Sequence, residues 1–62
     1  MGAVLRFITW VLRQAWRWSV KQIDKAVAWI RANWTTVAKW IAQGLGFETI
    51  VWLLCHYYGL LC

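Results

Sequence analysis

Residues 4–17, VLRFITWVLRQAWR, carry the pattern that decides the expected fold. Apolar residues recur there at the i, i+4, i+7 spacing of a helix face, and charged residues lie opposite. Arg6, Arg13 and Arg17 fall within about 40° of one another on a helical projection. The apolar stripe comprises Val4, Ile8, Val11 and Ala15, widened by Leu5, Leu12 and Trp16. This pattern predicts an amphipathic α-helix.

The point at which this first helix ends has two interpretations. Ser19 with Gln22 fits a capping box, and Asp24 fits a cap for a helix that begins at Lys25. A single helix over about residues 4–32 is the alternative, because an unbroken projection keeps the apolar positions on nearly one side. Both interpretations predict helix through most of this region.

Helix boundaries farther along the chain are marked more clearly. Asn33 is expected to end a helix, and Thr35 or Thr36 to begin a short one that runs through Gln43. The segment Gly44–Gly46 is expected to form a turn, because glycine is the strongest local breaker in a chain without proline.

The last predicted helix is apolar on every side from Thr49 onward. Glu48 lies in its first turn, where the positive end of the helix dipole favours a carboxylate. Gly59 is expected to end this helix and to let residues 60–62 fold back. The fold class expected is therefore all-α, one domain over residues 1–62 with three or four short helices in a compact bundle and the C-terminal helix innermost.

The charge balance points to an anionic partner. Seven Lys+Arg stand against two Asp+Glu, for a net charge of +5. A phospholipid surface is favoured over nucleic acid, because the cations alternate with Trp, Ile and Val and no nucleic-acid-binding motif is found. The predicted membrane-binding cations are Arg6, Arg13, Arg17, Lys21, Lys25, Arg31 and Lys39.

Seven tryptophans in 62 residues divide into two groups by their position on the helical projection. Trp10, Trp29 and Trp40 project beside charged or polar residues, so we expect them at a membrane interface, where indole finds both apolar and wet surroundings. Trp16 and Trp52 project onto apolar faces, and we expect them in the core. Trp18 and Trp34 are left unassigned.

Two cysteines and one histidine are the remaining chemically reactive side chains. A disulfide between Cys55 and Cys62 fits an exported peptide if Gly59 turns the chain, and two buried thiols are the alternative. A metal site that includes His56 is one ligand short, and no third polar residue orients a thiol nucleophile. No catalytic site, metal or cofactor is expected.

Residues 25–46 resemble the leaderless bacteriocins of the aureocin and lacticin Q type. The resemblance rests on Lys25-Ala26-Val27-x-Trp29, Ala32-Asn33, Trp40 at the end of a short helix, and Gly44. It implies a four-helix, saposin-like fold and a secreted peptide that is made without a leader and retains Met1. The implied activity is receptor-independent permeabilisation of Gram-positive membranes.

The function expected is therefore that of a secreted antibacterial peptide that permeabilises anionic membranes, monomeric in water and able to oligomerise in the bilayer. No secretory signal or myristoylation motif is recognised, and the longest uncharged stretch, Thr49–Cys62, is shorter than a membrane span. One alternative is a small intracellular membrane-embedded regulatory or toxin peptide. Another is a soluble module that binds a partner protein through exposed indoles.

Overall fold

Four α-helices form a bundle in the computed structural model, which describes residues 2–62. They are α1 (Gly2–Arg13), α2 (Val20–Ala32), α3 (Trp34–Ala42) and α4 (Phe47–Tyr58), with a 3-10 turn at Ala15–Arg17 between α1 and α2. Packing of α1 against α2 and α3, and of α4 against α3, closes the bundle. The all-α prediction is confirmed. The expected retention of Met1 concerns a residue outside the described range.

The first two helices are separate, and the alternative of one continuous helix over residues 4–32 is wrong. Trp18 has extended backbone geometry, with φ −138° and ψ 156°, so the helical path is broken before α2 begins. Ser19 then caps α2, and its Oγ accepts the Gln22 backbone N–H at 3.2 Å. The Gln22 side chain accepts the Ser19 N–H at 2.9 Å, which completes the predicted capping box. Asp24 lies inside α2 and caps nothing, contrary to expectation.

Asn33 is the single residue between α2 and α3, so it is the C-cap of one helix and the N-cap of the next. It ends α2, as predicted, and its Nδ2 donates to the Trp29 carbonyl oxygen at 3.0 Å. The next helix begins at Trp34, one residue before the expected Thr35. Gly44, with φ +90°, turns the chain toward α4 in a conformation that side-chain-bearing residues rarely adopt. The predicted turn at Gly44–Gly46 is confirmed, as is the position of Glu48 in the first turn of α4.

All four helices contribute to an entirely apolar core. Phe7 of α1, Ile30 of α2, Val37 of α3, and Ile50 and Leu54 of α4 are fully buried. Phe7 was absent from the predicted stripe, yet it is the largest of these side chains. The buried line of α1 is completed by Val4 and Val11, at the i, i+3, i+7 positions of one helix face.

Three residues assigned to the edge of the apolar stripe lie outside the core, which corrects the predicted face of α1. Leu5 is 53% exposed, Leu12 51% and Trp16 82%. The two leucines follow buried positions by one residue, which rotates them about 100° away from the core. Trp16 lies beyond the end of α1 at Arg13, so the projection that placed it on the stripe does not extend to it.

The C-terminal helix is not innermost, and the prediction of a central α4 is wrong. One side of α4 buries Ile50, Val51 and Leu54, while Trp52 remains 57% exposed and Tyr57 67% exposed. A bundle of this length has too little interior to enclose a helix on every side. Part of a chain that is 63% hydrophobic therefore stays at the surface.

Residues 59–62 form a C-terminal hook that closes the bundle. Gly59, with φ +66°, ends α4 as predicted, and the hook then buries Leu61 to 4% exposure. Cys55 and Cys62 are joined by a disulfide whose Cα atoms lie 5.2 Å apart. The Trp18 indole N–H donates to the Leu61 carbonyl oxygen at 2.9 Å. The hook thus connects the end of α4 to the junction before α2.

Removing the disulfide is expected to destabilise the bundle. The cystine closes a loop of seven residues in sequence separation, for which chain entropy predicts a loss of about 2.5 kcal/mol. Urea unfolding of the oxidised protein and of the Cys55→Ala/Cys62→Ala variant measures the difference. Equal free energies of unfolding would show that the hook is held without the cystine, by the burial of Leu61 and by the hydrogen bonds that the Trp18 and Gln22 side chains donate to the carbonyl oxygens of Leu61 and Cys62.

The corrected burial of Trp16 gives a second stability test. Truncating an exposed side chain changes the unfolding free energy by about 0.5 kcal/mol or less, so we expect Trp16→Ala to be nearly neutral. Ile30→Val removes one methylene group from a fully buried residue and is expected to cost about 1 kcal/mol. Urea denaturation followed by circular dichroism compares them. A larger loss for Trp16→Ala would contradict the exposed position of this indole.

Candidate functional site

Arg17 differs from the other predicted membrane-binding cations because it is built into the fold. Its guanidinium pairs with the carboxylate of Glu48, with the second contact at 3.3 Å, and donates to the Gln14 side chain at 2.8 Å. The guanidinium also lies 4.6 Å from the centre of the Trp18 ring. Its side chain is 27% exposed. Arg17 therefore connects the α1–α2 junction to the start of α4, and a surface pair of this kind is worth at most about 1 kcal/mol.

The other predicted cations lie free at the surface. Within residues 2–62 the ion pair between Arg17 and Glu48 is the only one, so six of the seven basic side chains lack a carboxylate partner there. Each of the six is exposed, and together they are distributed over three helices. They are Arg6 and Arg13 on α1, Lys21, Lys25 and Arg31 on α2, and Lys39 on α3.

Trp10, Trp29 and Trp40 are half-buried, and each packs against the core. Trp29 stacks on Trp40 with ring centres 6.2 Å apart and planes 15° apart, and Tyr58 lies 4.7 Å from Trp29. Trp10 also lies beside Arg6 and Arg13 at the surface, and the Arg17 guanidinium is 6.0 Å from the centre of its ring. The projection left these three indoles outside the core, whereas the structure packs each of them against it. Their expected position at a membrane interface stays a prediction.

Trp16 and Trp52, expected in the core, are instead the two most exposed tryptophans, at 82% and 57%. Trp34, which the sequence left unassigned, is 40% exposed at the start of α3. Trp18, also unassigned, is half-buried by its contact with the C-terminal hook. The position of Trp52 follows from periodicity, since it lies about 160° from Leu54 around α4. No sequence signal places Trp16.

Three neighbouring side chains form an aromatic cluster on the outer side of α4. Trp52 stacks on His56 with ring centres 4.8 Å apart and planes 9° apart. Tyr57 meets His56 edge to face at 5.0 Å. This α4 aromatic cluster (Trp52, His56, Tyr57) carries no lysine or arginine, because the helix from Phe47 to Tyr58 contains neither.

An open groove of about 420 Å³ lies on the basic side of α1, against the first residue of α4. Its floor is aromatic, since the rings of Trp10 and Phe47 lie 5.6 Å apart. Its lining residues are Leu5, Arg6, Thr9, Trp10, Arg13 and Phe47. The groove thus brings two of the unpaired arginines beside apolar rings.

The reactive side chains are engaged in structural contacts. Cys55 is bonded to Cys62 and offers no thiol in this state. Among residues 2–62, no three His, Cys, Asp or Glu side chains lie close enough together to hold a metal ion. Within the same residues, none of the helices has the length and apolar character that crossing a bilayer requires.

Comparison of the chain with protein families, with curated proteins and with solved structures finds no match.

Proposed function

We propose that this protein is a secreted antibacterial peptide that permeabilises anionic membranes without a protein receptor. The observation that carries the proposal is that the surface combines two kinds of group. Six exposed cations lack a carboxylate partner among the described residues, and several aromatic rings are exposed. The cations match phosphate-bearing headgroups, and the rings match the interfacial layer beneath them. Cationic and aromatic groups thus lie together on the surface of a 62-residue protein.

Electrostatic attraction is the first step of the proposed mechanism. A basic residue near an anionic leaflet contributes about 1 kcal/mol, so each of the six cations that faces the leaflet adds about this much before any apolar contact forms. Because the six cations are spread over α1, α2 and α3, more than one face of the bundle can meet the membrane. Arg17 is not counted, since Glu48 already neutralises it.

Insertion of exposed rings is the second step. Trp16, Trp34 and Trp52 expose 40–82% of their surface to water. Moving such a ring to the headgroup boundary removes apolar area from water while the indole N–H keeps a hydrogen-bond partner. A fully buried aromatic side chain of this size gains about 2–3 kcal/mol.

Helix length determines how the inserted protein lies. The longest helix, α2, has 13 residues and a length of about 20 Å, whereas the hydrocarbon core is about 30 Å thick. Because helices this short cannot cross the hydrocarbon core, they lie in the plane of the interface, with their apolar sides facing the hydrocarbon. The protein therefore expands the outer leaflet, and the strain permeabilises the bilayer when the bundle loosens.

The oxidised hook supports action outside the producing cell. Disulfides persist in oxidising compartments and are rare in the reducing cytosol. The cystine between Cys55 and Cys62 also keeps the hook attached to α4 while the other contacts loosen. We place the protein at the surface of target bacteria, as a monomer in water.

Dye release from lipid vesicles tests the proposal directly. We expect the wild-type protein to empty vesicles of phosphatidylglycerol and to act more weakly on phosphatidylcholine, with leakage that falls as salt rises. Killing of Gram-positive cells should follow the same salt dependence. Binding without leakage would favour a membrane-embedded regulatory or toxin peptide, and no binding would favour a module that docks on a protein.

The double variant Trp16→Ala/Trp52→Ala tests the insertion step. Both side chains are exposed, so the fold should persist, while the concentration needed for half-maximal dye release should rise by roughly tenfold or more. Trp16→Phe/Trp52→Phe is the matched control, because it keeps most of the apolar area. Unchanged leakage by the alanine variant would exclude these two rings from the inserting surface.

A further inference from the structure

The groove on α1 has a preformed apolar floor. Phe7, which is fully buried, lies 6.1 Å from Trp10 and 5.3 Å from Phe47, ring centre to ring centre. Trp10 and Phe47 also touch each other at 5.6 Å. The three rings support one another, so the floor is held by the core and does not need a ligand to assemble it. Leu5 adds apolar surface at one side.

The rim of the groove is cationic and presents hydrogen-bond donors. Arg6, Thr9 and Arg13 line it together. Their i, i+3, i+7 spacing places all three on one face of α1. Guanidinium groups bind phosphate oxygens through paired N–H donors, and a hydroxyl adds another donor.

Among the described residues, no carboxylate pairs with Arg6 or Arg13 at the rim of the groove. Glu48 is the carboxylate adjacent in sequence to Phe47, and it is paired with Arg17. The Arg17 guanidinium lies 6.0 Å from the centre of the Trp10 ring, but Glu48 balances its charge, so Arg6 and Arg13 are the cations that the groove offers to a ligand. The groove volume, about 420 Å³, lies within the range of about 300–1,000 Å³ that small-molecule sites occupy.

We propose that this groove binds the headgroup of a single anionic phospholipid. Arg6, Arg13 and Thr9 hold the phosphodiester, and the glycerol and first acyl carbons rest on Trp10 and Phe47. A free phosphate ion would use the rim and leave the aromatic floor without a partner, whereas an amphiphile satisfies both. The inference rests on the proposed membrane activity, because it assigns one site to the lipid that the whole surface attracts.

Short-chain phosphatidylglycerol, titrated as a monomer below its critical micelle concentration, is the probe. In NMR spectra of the oxidised full chain, we expect saturable shifts at the Trp10 indole N–H and at the backbone of Thr9 and Phe47. The Arg6→Gln/Arg13→Gln variant should bind the monomer at least tenfold more weakly. Its side chains are exposed, and an unchanged circular dichroism spectrum verifies the fold.

Lys21→Gln/Arg31→Gln is the charge-matched control. It removes two exposed cations from α2 and brings the net charge to the same value as the groove variant. We expect it to lose less than twofold in monomer affinity. Equal losses in the two double variants would overturn the groove site in favour of a diffuse charge effect. Saturation of the same signals by inorganic phosphate at similar affinity would overturn the phospholipid assignment.

Vesicle leakage separates the failure of this inference from the failure of the proposed function. Wild-type leakage with equal monomer affinity in both double variants would refute the groove and leave the membrane activity standing. Saturable monomer binding at the groove without leakage would refute permeabilisation and retain a phospholipid site.

Discussion

The small apolar core around Phe7 is the contact on which the rest of the structure depends. Phe7 contacts Trp10 and Phe47 directly, and it belongs to the same buried cluster as Ile30 and Leu54. Because each helix supplies only a narrow line of buried side chains, many other apolar residues stay half-buried or exposed. The groove floor and the exposed tryptophans are two consequences of this limited interior.

Polar interactions are confined to the corners of the bundle. The described residues include no buried polar or charged side chain, while Ser19, Asn33 and Trp18 make their hydrogen bonds at helix junctions. A core of this composition can rearrange against lipid without bringing an unsatisfied side-chain polar group into hydrocarbon. The same separation would allow the helices to turn their apolar sides toward a membrane at low electrostatic cost.

Charge and aromatic surface are arranged differently around the molecule. The basic side chains lie on α1, α2 and α3, whereas α4 presents Trp52, His56 and Tyr57 without any lysine or arginine. The aromatic cluster of α4 thus lies on a helix without basic side chains, whereas the α1 groove brings Arg6 and Arg13 beside aromatic rings. This combination explains why the groove is proposed as the place where one lipid molecule is held.

The sequence by itself determined the helical fold class and several of the helix ends, but it left the end of the first helix open. The capping box at Ser19, the junction at Asn33, the turn at Gly44–Gly46 and the stop at Gly59 all depend on hydrogen bonds or dihedral angles within a few residues. Local patterns of this kind are readable without knowledge of the fold. The contacts of Trp10, Trp29 and Trp40 with the core were not readable in this way, because the projection put these indoles beside the polar residues of their helices.

Tertiary structure decided which apolar side chains the core would accept. Trp16 and Trp52 were expected inside and lie outside, while Phe7 became the largest buried side chain. Arg17 pairs with Glu48 across 31 residues, and Trp18 meets Leu61 across 43. These outcomes depend on how four helices share one limited interior. They are set by contacts between residues that are distant in sequence, so no single stretch of the chain predicts them.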